Sequence, residues 1–177
     1  MINLEAKDTL VTRYVKTGEI VFRDGHYPFK PLRATLGSCI GLALYDPVTK
    51  LSGFAHMMVP NHPSTKNPGK LKSKGKYVDI AIPHVLDWFN IKEIPFFRLE
   101  AKMAGGSSLL SKKKGFLRNE LLGGPKNVQT AIKILLKHGI NLIGQDTGGD
   151  TERVMYFFPS DGNVLIREPS TGKCHMI

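Results

Sequence analysis

The sequence predicts an α/β (α+β) sandwich: a single compact domain with a β-rich core and flanking helices. Three observations carry this. Strand-like apolar runs outnumber helical stripes, and the two kinds are interspersed along the chain. The 177 residues fit one domain, and a chain of that length buries roughly 70% of its unfolded surface without staples. No internal repeat or linker divides it, so residues 1–177 read as one unit.

The elements follow in order. Residues 1–19 are weakly patterned and close at Gly18-Glu19. Ile20-Val21-Phe22-Arg23 is a short strand ended by Asp24-Gly25, and a Pro-punctuated connection follows. The run Ile40-Gly41-Leu42-Ala43-Leu44-Tyr45 is a buried strand that stops at Asp46-Pro47. Leu51 to Val59 is the next strand, and the short turn between them predicts an antiparallel hairpin. His62 to Lys76 is a lysine-rich loop that suits a lid or an insertion.

Ala81, Val85 and Trp88 share one face of a helix. Pro83 is best tolerated in a first turn, which puts the helix start near Ile82. Pro95 to Ala104 reads as a strand ending in Gly105-Gly106, and residues 109–124 read as loop. Asn127 suits an N-cap for a helix from Val128 to His138, stopped by Gly139. Ile140 to Gln145 is a strand and Asp146 to Asp150 a turn. Arg153 to Phe158 and Asn163 to Arg167 form a closing hairpin.

Composition narrows the function. With 41% hydrophobic and 23% charged residues, the chain reads as globular rather than disordered. No apolar run approaches the ~20 residues of a membrane-spanning helix, and Met1 to Asp8 lacks the apolar core of a secretory signal. Two cysteines, Cys39 and Cys174, make no disulfide framework, so reduced thiols and a cytoplasmic location are expected. The net charge of +10 favours an acidic partner. Lysines crowd 66–76 and 112–114 without the interleaved aromatics of a single-strand platform. Solvated loops are the plain reading of both runs. A basic nucleic-acid-binding module is the rival, and it predicts steep salt dependence.

Chemistry concentrates in Gly37-Ser38-Cys39-Ile40-Gly41. Two glycines bracket a small thiol at a strand entry, where backbone N–H groups are near. That suits a nucleophile beside an oxyanion site, and it equally suits a packed core cysteine. His56 alternates with Phe54 and Met58 in an apolar strand and needs a polar partner. A Cys and a His on neighbouring strands fit a nucleophile and its base, and a charged imidazole would lower the thiol pKa. No paired metal-ligand spacing is present, and neither Gly105-Gly106 nor Gly148-Gly149 belongs to a phosphate-loop pattern.

An ordered set of motifs resembles the CheD family of chemoreceptor glutamine deamidases. It comprises Leu36-Gly37-Ser38-Cys39, Leu44-Tyr45-Asp46-Pro47, Gly53-Phe54-Ala55-His56 through Pro60, Tyr77-Val78-Asp79, Glu100 to Gly106, Gly124 to Val128, Asp146 to Gly149, and Phe158-Pro159 with Gly162-Asn163-Val164. The match spans about residues 32–167. It implies a deamidase-toxin-like Cys-His-Thr site without metal or organic cofactor. It also implies hydrolysis of selected receptor glutamines to glutamate through a Cys thioester, and a CheC-type phosphatase as partner. Carried over, Cys39 is the nucleophile and His56 the base. The family threonine is expected five or six residues before the cysteine, where this chain has Ala34 and Arg33. Thr35, four before, shares a face with position six of an extended segment and is the stand-in that would orient His56. The departures at Ala34 and Arg33 motivate one further alternative, an adaptor that binds receptor or phosphatase without turnover.

Overall fold

The computed structural model describes residues 11–25, 29–63, 73–108 and 123–177. Its strands are β1 (Arg13–Tyr14), β2 (Ile20–Arg23), β3 (Leu32–Leu36), β4 (Ile40–Tyr45), β5 (Ser52–Met57), β6 (Glu100–Gly105), β7 (Asn141–Thr147), β8 (Arg153–Phe157), β9 (Val164–Arg167) and β10 (Cys174–Met176). Its α-helices are α1 (Val78–Ile91) and α2 (Gly124–Lys137). The strands form two five-stranded sheets, ordered β1-β3-β8-β9-β10 and β2-β5-β4-β6-β7. Both are mixed, because β1 runs parallel to β3 and β6 parallel to β7.

β4 shows how the layers stack. All six of its residues are buried, and alternate side chains enter different cores. Ile40, Leu42 and Leu44 pack with Val78, Ile82, Leu86 and Phe89 of α1 and Leu135 of α2. Ala43 and Tyr45 pack with Leu32 and Leu36 of β3 and with Met155 and Phe157 of β8. The order of layers is therefore sheet, sheet, helices. A strand covered on both faces has no polar side to alternate with, which is why Ile40–Tyr45 reads as one apolar run. The expected hairpin is present, with β4 antiparallel to β5 and Gly41 opposite His56.

Several expectations need correction. α1 starts at Val78 and carries Pro83 inside it, not near Ile82. An interior proline costs about 3 kcal/mol. Burial of Val78, Ala81, Ile82, Val85, Leu86 and Phe89 outweighs this, at roughly 1.5–3 kcal/mol for each large side chain. The segment from Pro95 is not one strand: a 3-10 turn at Phe96–Arg98 precedes β6. That turn carries the Arg98 guanidinium to the Asp46 carboxylate, with both contacts at 2.7 Å. α2 begins at Gly124, so Asn127 lies in its first turn instead of capping it. Two short strands, β1 and β10, were not expected. β10 pairs with β9 and places Cys174 in a strand. Lys66, Lys70, Lys72 and the run Lys112 to Lys114 lie outside the described residues.

Candidate active site

The bend at 37–39, just before β4, has all three of its carbonyls held. Ser107 N–H donates to Gly37 O at 2.9 Å, and Gly106 N–H to Cys39 O at 2.8 Å. Gly124 N–H reaches Ser38 O at 3.0 Å, and Asn127 Nδ2 reaches the same oxygen at 2.9 Å. Gly105 permits this close packing. Its φ is +105°, and a Cβ there would lie 2.2 Å from Cys39 O, so no other residue fits. With the carbonyls turned into the protein, the N–H groups of Ser38 and Cys39 have no acceptor among the described residues. Free amides beside a thiol are what an oxyanion site requires.

His56 is 1% exposed. Its Nδ1 lies 3.0 Å from Val15 O. A carbonyl only accepts, so Nδ1 carries the proton and the neutral ring keeps its lone pair on Nε2. Nε2 faces Thr17 Oγ1 at 3.5 Å, and the Thr17 side chain also acts on the Cys39 thiol, where it favours the thiolate. Thr17 thus joins thiol and imidazole. The backbone sets it there: Gly18 N–H donates to His56 O at 2.7 Å, and His56 N–H to Glu19 O at 3.1 Å.

Thr35 does not take the place expected of it. In β3, Leu32, Ala34 and Leu36 are buried while Thr35 is exposed. Strand alternation turns Thr35 to the outer face of its sheet, and the ring nitrogens of His56 face Val15 and Thr17 instead. Thr17 was missed because residues 1–19 carry little pattern. No local sequence signal marks it; its place just before β2 follows from the fold, in which β2 pairs with β5 from Ile20 opposite Ala55.

Electrostatics also departs from the expected lowered thiol pKa. Burial pushes the Cys39 thiol above its ordinary value, and the Thr17 hydrogen bond only partly opposes it. Burial pushes His56 below its ordinary value, against the Val15 carbonyl and the charge of Glu19. The resting pair is a neutral thiol beside a neutral imidazole.

The two glycine turns meet at this site. Gly148 N–H donates to Gly105 O at 2.9 Å. The buried Arg153 guanidinium clamps both, reaching Gly105 O at 2.9 Å and Gly148 O at 3.0 Å. An open cleft of about 390 Å³, lined by Thr151, Glu152, Pro169 and Ser170, adjoins the bend. The Glu152 side chain would lie 3.8 Å from a Cβ built on Gly37. Among the described residues, no group of three or more His, Cys, Asp or Glu side chains is arranged to hold a metal ion.

Residues 58–168 match the family model described as CheD chemotactic sensory transduction. That stretch begins after His56, so the match is independent of the Cys39–His56 cluster. Three proteins named "Probable chemoreceptor glutamine deamidase CheD" are similar over most of their length. The one from Clostridium novyi is 36% identical over 82% of this chain and 86% of its own. The one from Archaeoglobus fulgidus is 35% identical over 78% and 83%. The one from Pyrococcus horikoshii is 38% identical over 78% and 82%. By the family match and by these relatives together, the chain belongs to the CheD family.

Proposed function

We propose that this chain hydrolyses the side-chain amide of selected glutamines on chemoreceptors to glutamate, with Cys39 as nucleophile, His56 as acid and base, and Thr17 as the hydroxyl between them. One observation carries the assignment of roles. His56 Nε2 faces Thr17 Oγ1 and the Thr17 side chain acts on the Cys39 thiol, beside two amides without acceptors among the described residues, in a chain whose relatives are named as chemoreceptor glutamine deamidases.

Chemistry starts from the neutral pair. As Sγ attacks the glutamine carbonyl carbon, the thiol proton passes to Thr17 Oγ1 and the Thr17 proton to His56 Nε2. The 3.5 Å separation shortens in the complex, as apo catalytic contacts commonly do. The carbonyl oxygen gains negative charge and accepts from the N–H groups of Ser38 and Cys39. One such donor is worth ~10²–10³ in rate. Imidazolium then protonates the departing nitrogen, the C–N bond breaks, and ammonia leaves a thioester. His56 takes a proton from water, the hydroxide oxygen bonds the acyl carbon, and the C–S bond breaks. Glutamate is released, and the imidazolium proton passes back through Thr17 Oγ1 to the departing Sγ, which restores the thiol and the neutral imidazole. No group beyond the chain, substrate and water enters this balance.

No described helix is long and apolar enough to cross a membrane. We place the protein in the cytoplasm, where its thiols stay reduced, with a receptor signalling domain as substrate and a CheC-type phosphatase as partner. The +10 charge suits an acidic receptor surface. Intact-mass analysis of a receptor cytoplasmic fragment after incubation tests the activity, since each event replaces NH₂ by OH. An unchanged fragment mass with folded protein and folded fragment would refute it.

A further inference from the structure

We infer that Asn127 is a positioning residue for the oxyanion site, acting through the Ser38–Cys39 peptide; this rests on the Cys39 thioester reading above. Asn127 is wholly buried in the first turn of α2. Its Nδ2 donates to Ser38 O at 2.9 Å and to Met58 O at 3.0 Å. Gly124 N–H, also in that turn, donates to the same Ser38 O at 3.0 Å.

Ser38 C=O and Cys39 N–H are opposite ends of one planar trans peptide. Fixing the carbonyl therefore fixes where the N–H points, and that N–H has no acceptor among the described residues. Two donors on one carbonyl also polarise the amide, so the N–H at its far end becomes a stronger donor. Met58 lies two residues beyond His56. The second amide hydrogen of Asn127 thus ties the strand that carries His56 to the bend that carries Cys39.

A helix-capping role does not account for this side chain, because α2 has no side-chain cap hydrogen bond. Plain packing does not either. The Asn127 Oδ1 is buried without a partner among the described residues, which an apolar residue of similar size would avoid. The chain also makes room for the amide: a Cβ on Gly123 would lie 1.7 Å from Nδ2 and 2.6 Å from Met58 O.

The test uses the full chain with Asn127→Asp and Asn127→Ala, and two readouts. One is kcat and KM for deamidation of a receptor fragment. The other is the rate at which iodoacetamide alkylates Cys39. Alkylation displaces iodide at a tetrahedral carbon and builds no oxyanion, so it reports thiol access and local fold without the oxyanion site. The expected result is a kcat roughly 10-fold to 100-fold lower in both variants, with KM and alkylation rate within about 2-fold of wild type. An unchanged kcat, or kcat and alkylation falling together, would overturn the inference. Cys39→Ala is measured alongside. Turnover retained there removes the thioester reading itself, a result distinct from an Asn127 variant with unchanged kcat.

Discussion

The two ends of β4 are built on opposite plans. At the C-terminal end, Asp46 has a side chain with 0% exposure and is fully paired. Arg98 meets both carboxylate oxygens at 2.7 Å, and the Thr49 hydroxyl and the N–H groups of Val48 and Thr49 also donate to it. At the N-terminal end, among the described residues, the amides of Ser38 and Cys39 have no acceptors and the buried Ser107 Oγ and Asn127 Oδ1 have no partners. Buried polar groups are normally satisfied. Their pairing is complete where it locks a turn; at the other end the proposed mechanism would have a substrate oxygen accept from the two amides, while the Asn127 Oδ1, itself an acceptor, would stay unpaired. Local rules fail at functional sites for this reason.

Cys39→Ala and Asp46→Ala separate the two ends most sharply. Cys39→Ala should lower deamidation by ~10³-fold or more and leave the thermal midpoint unchanged, whereas Cys174→Ala should leave turnover at the wild-type level. Turnover retained in Cys39→Ala, or lost in Cys174→Ala, would move the nucleophile elsewhere. Asp46→Ala should do the reverse. Breaking a buried pair costs 3–5 kcal/mol. The Arg98 side chain is 29% exposed and can turn to water, so about 3 kcal/mol is expected. For a chain of this size that lowers Tm by roughly 6–12 °C, while kcat per folded molecule holds.

The Asp46 effect has a defined pH window. Burial works to raise its carboxyl, but Arg98, Thr49 and the backbone N–H groups together overcome this and hold it below the ordinary value. A depressed carboxyl stabilises the fold above the unfolded pKa of ~3.9 and loses that contribution as pH falls through the folded value. The stability gap between wild type and Asp46→Asn should therefore be full at neutral pH and shrink below about pH 4. A gap independent of pH in urea titrations would mean that the carboxylate charge is not what stabilises the turn.

Thr17 and Thr35 give the next largest contrast. Thr17→Val keeps shape and removes the hydroxyl between thiol and imidazole, so kcat should fall roughly 10-fold to 100-fold with KM little changed. Thr35→Val, on an exposed outer face, should alter activity by less than about 2-fold and stability by no more than about 0.5 kcal/mol. Steady-state kinetics on the pair decides between them. Wild-type kcat in Thr17→Val with a drop in Thr35→Val would reverse the assignment.

The contrast between these threonines marks where the sequence was legible. The hairpin of β4 and β5 could be read because Asp46-Pro47 fixes its turn and apolar runs fix its strands. The same reading set Cys39 and His56 on neighbouring strands at the open end of that hairpin; His56 is in β5, while Cys39 lies in the bend just before β4. Thr17 was not legible, because its place depends on β2 pairing with β5 across residues 24–51, which no local pattern encodes. Asn127 suggested a cap from its residue type, and only the packing of α2 against the 37–39 bend reveals the buried amide. The two-layer sheet was hidden for a related reason: β1 and β10 are two and three residues long, too short for a periodicity to register. Pro83 misled in the other direction, since a local propensity rule gave way to the burial of α1.

The smallest expected effects are pH shifts at the open end of β4, and they test whether burial governs the thiol. Burial raises Cys39 and the Thr17 hydrogen bond lowers it only in part. Iodoacetamide alkylation followed against pH should therefore show its inflection above the free value of ~8.5. In Thr17→Val it should move further up, because the thiolate loses the Thr17 donor. The acid limb of deamidation should follow His56, which must be neutral to receive the proton. Burial lowers its pKa, so activity should persist below pH ~6.5, the ordinary imidazole value, before falling. Glu19 opposes that shift, and Glu19→Gln should carry the acid limb slightly lower still. A thiol inflection below ~8.5 in wild type, returning upward in His56→Ala, would show instead that the resting pair is thiolate and imidazolium. The attack would then need no proton transfer through Thr17, and the hydroxyl would be left with orienting the ring alone.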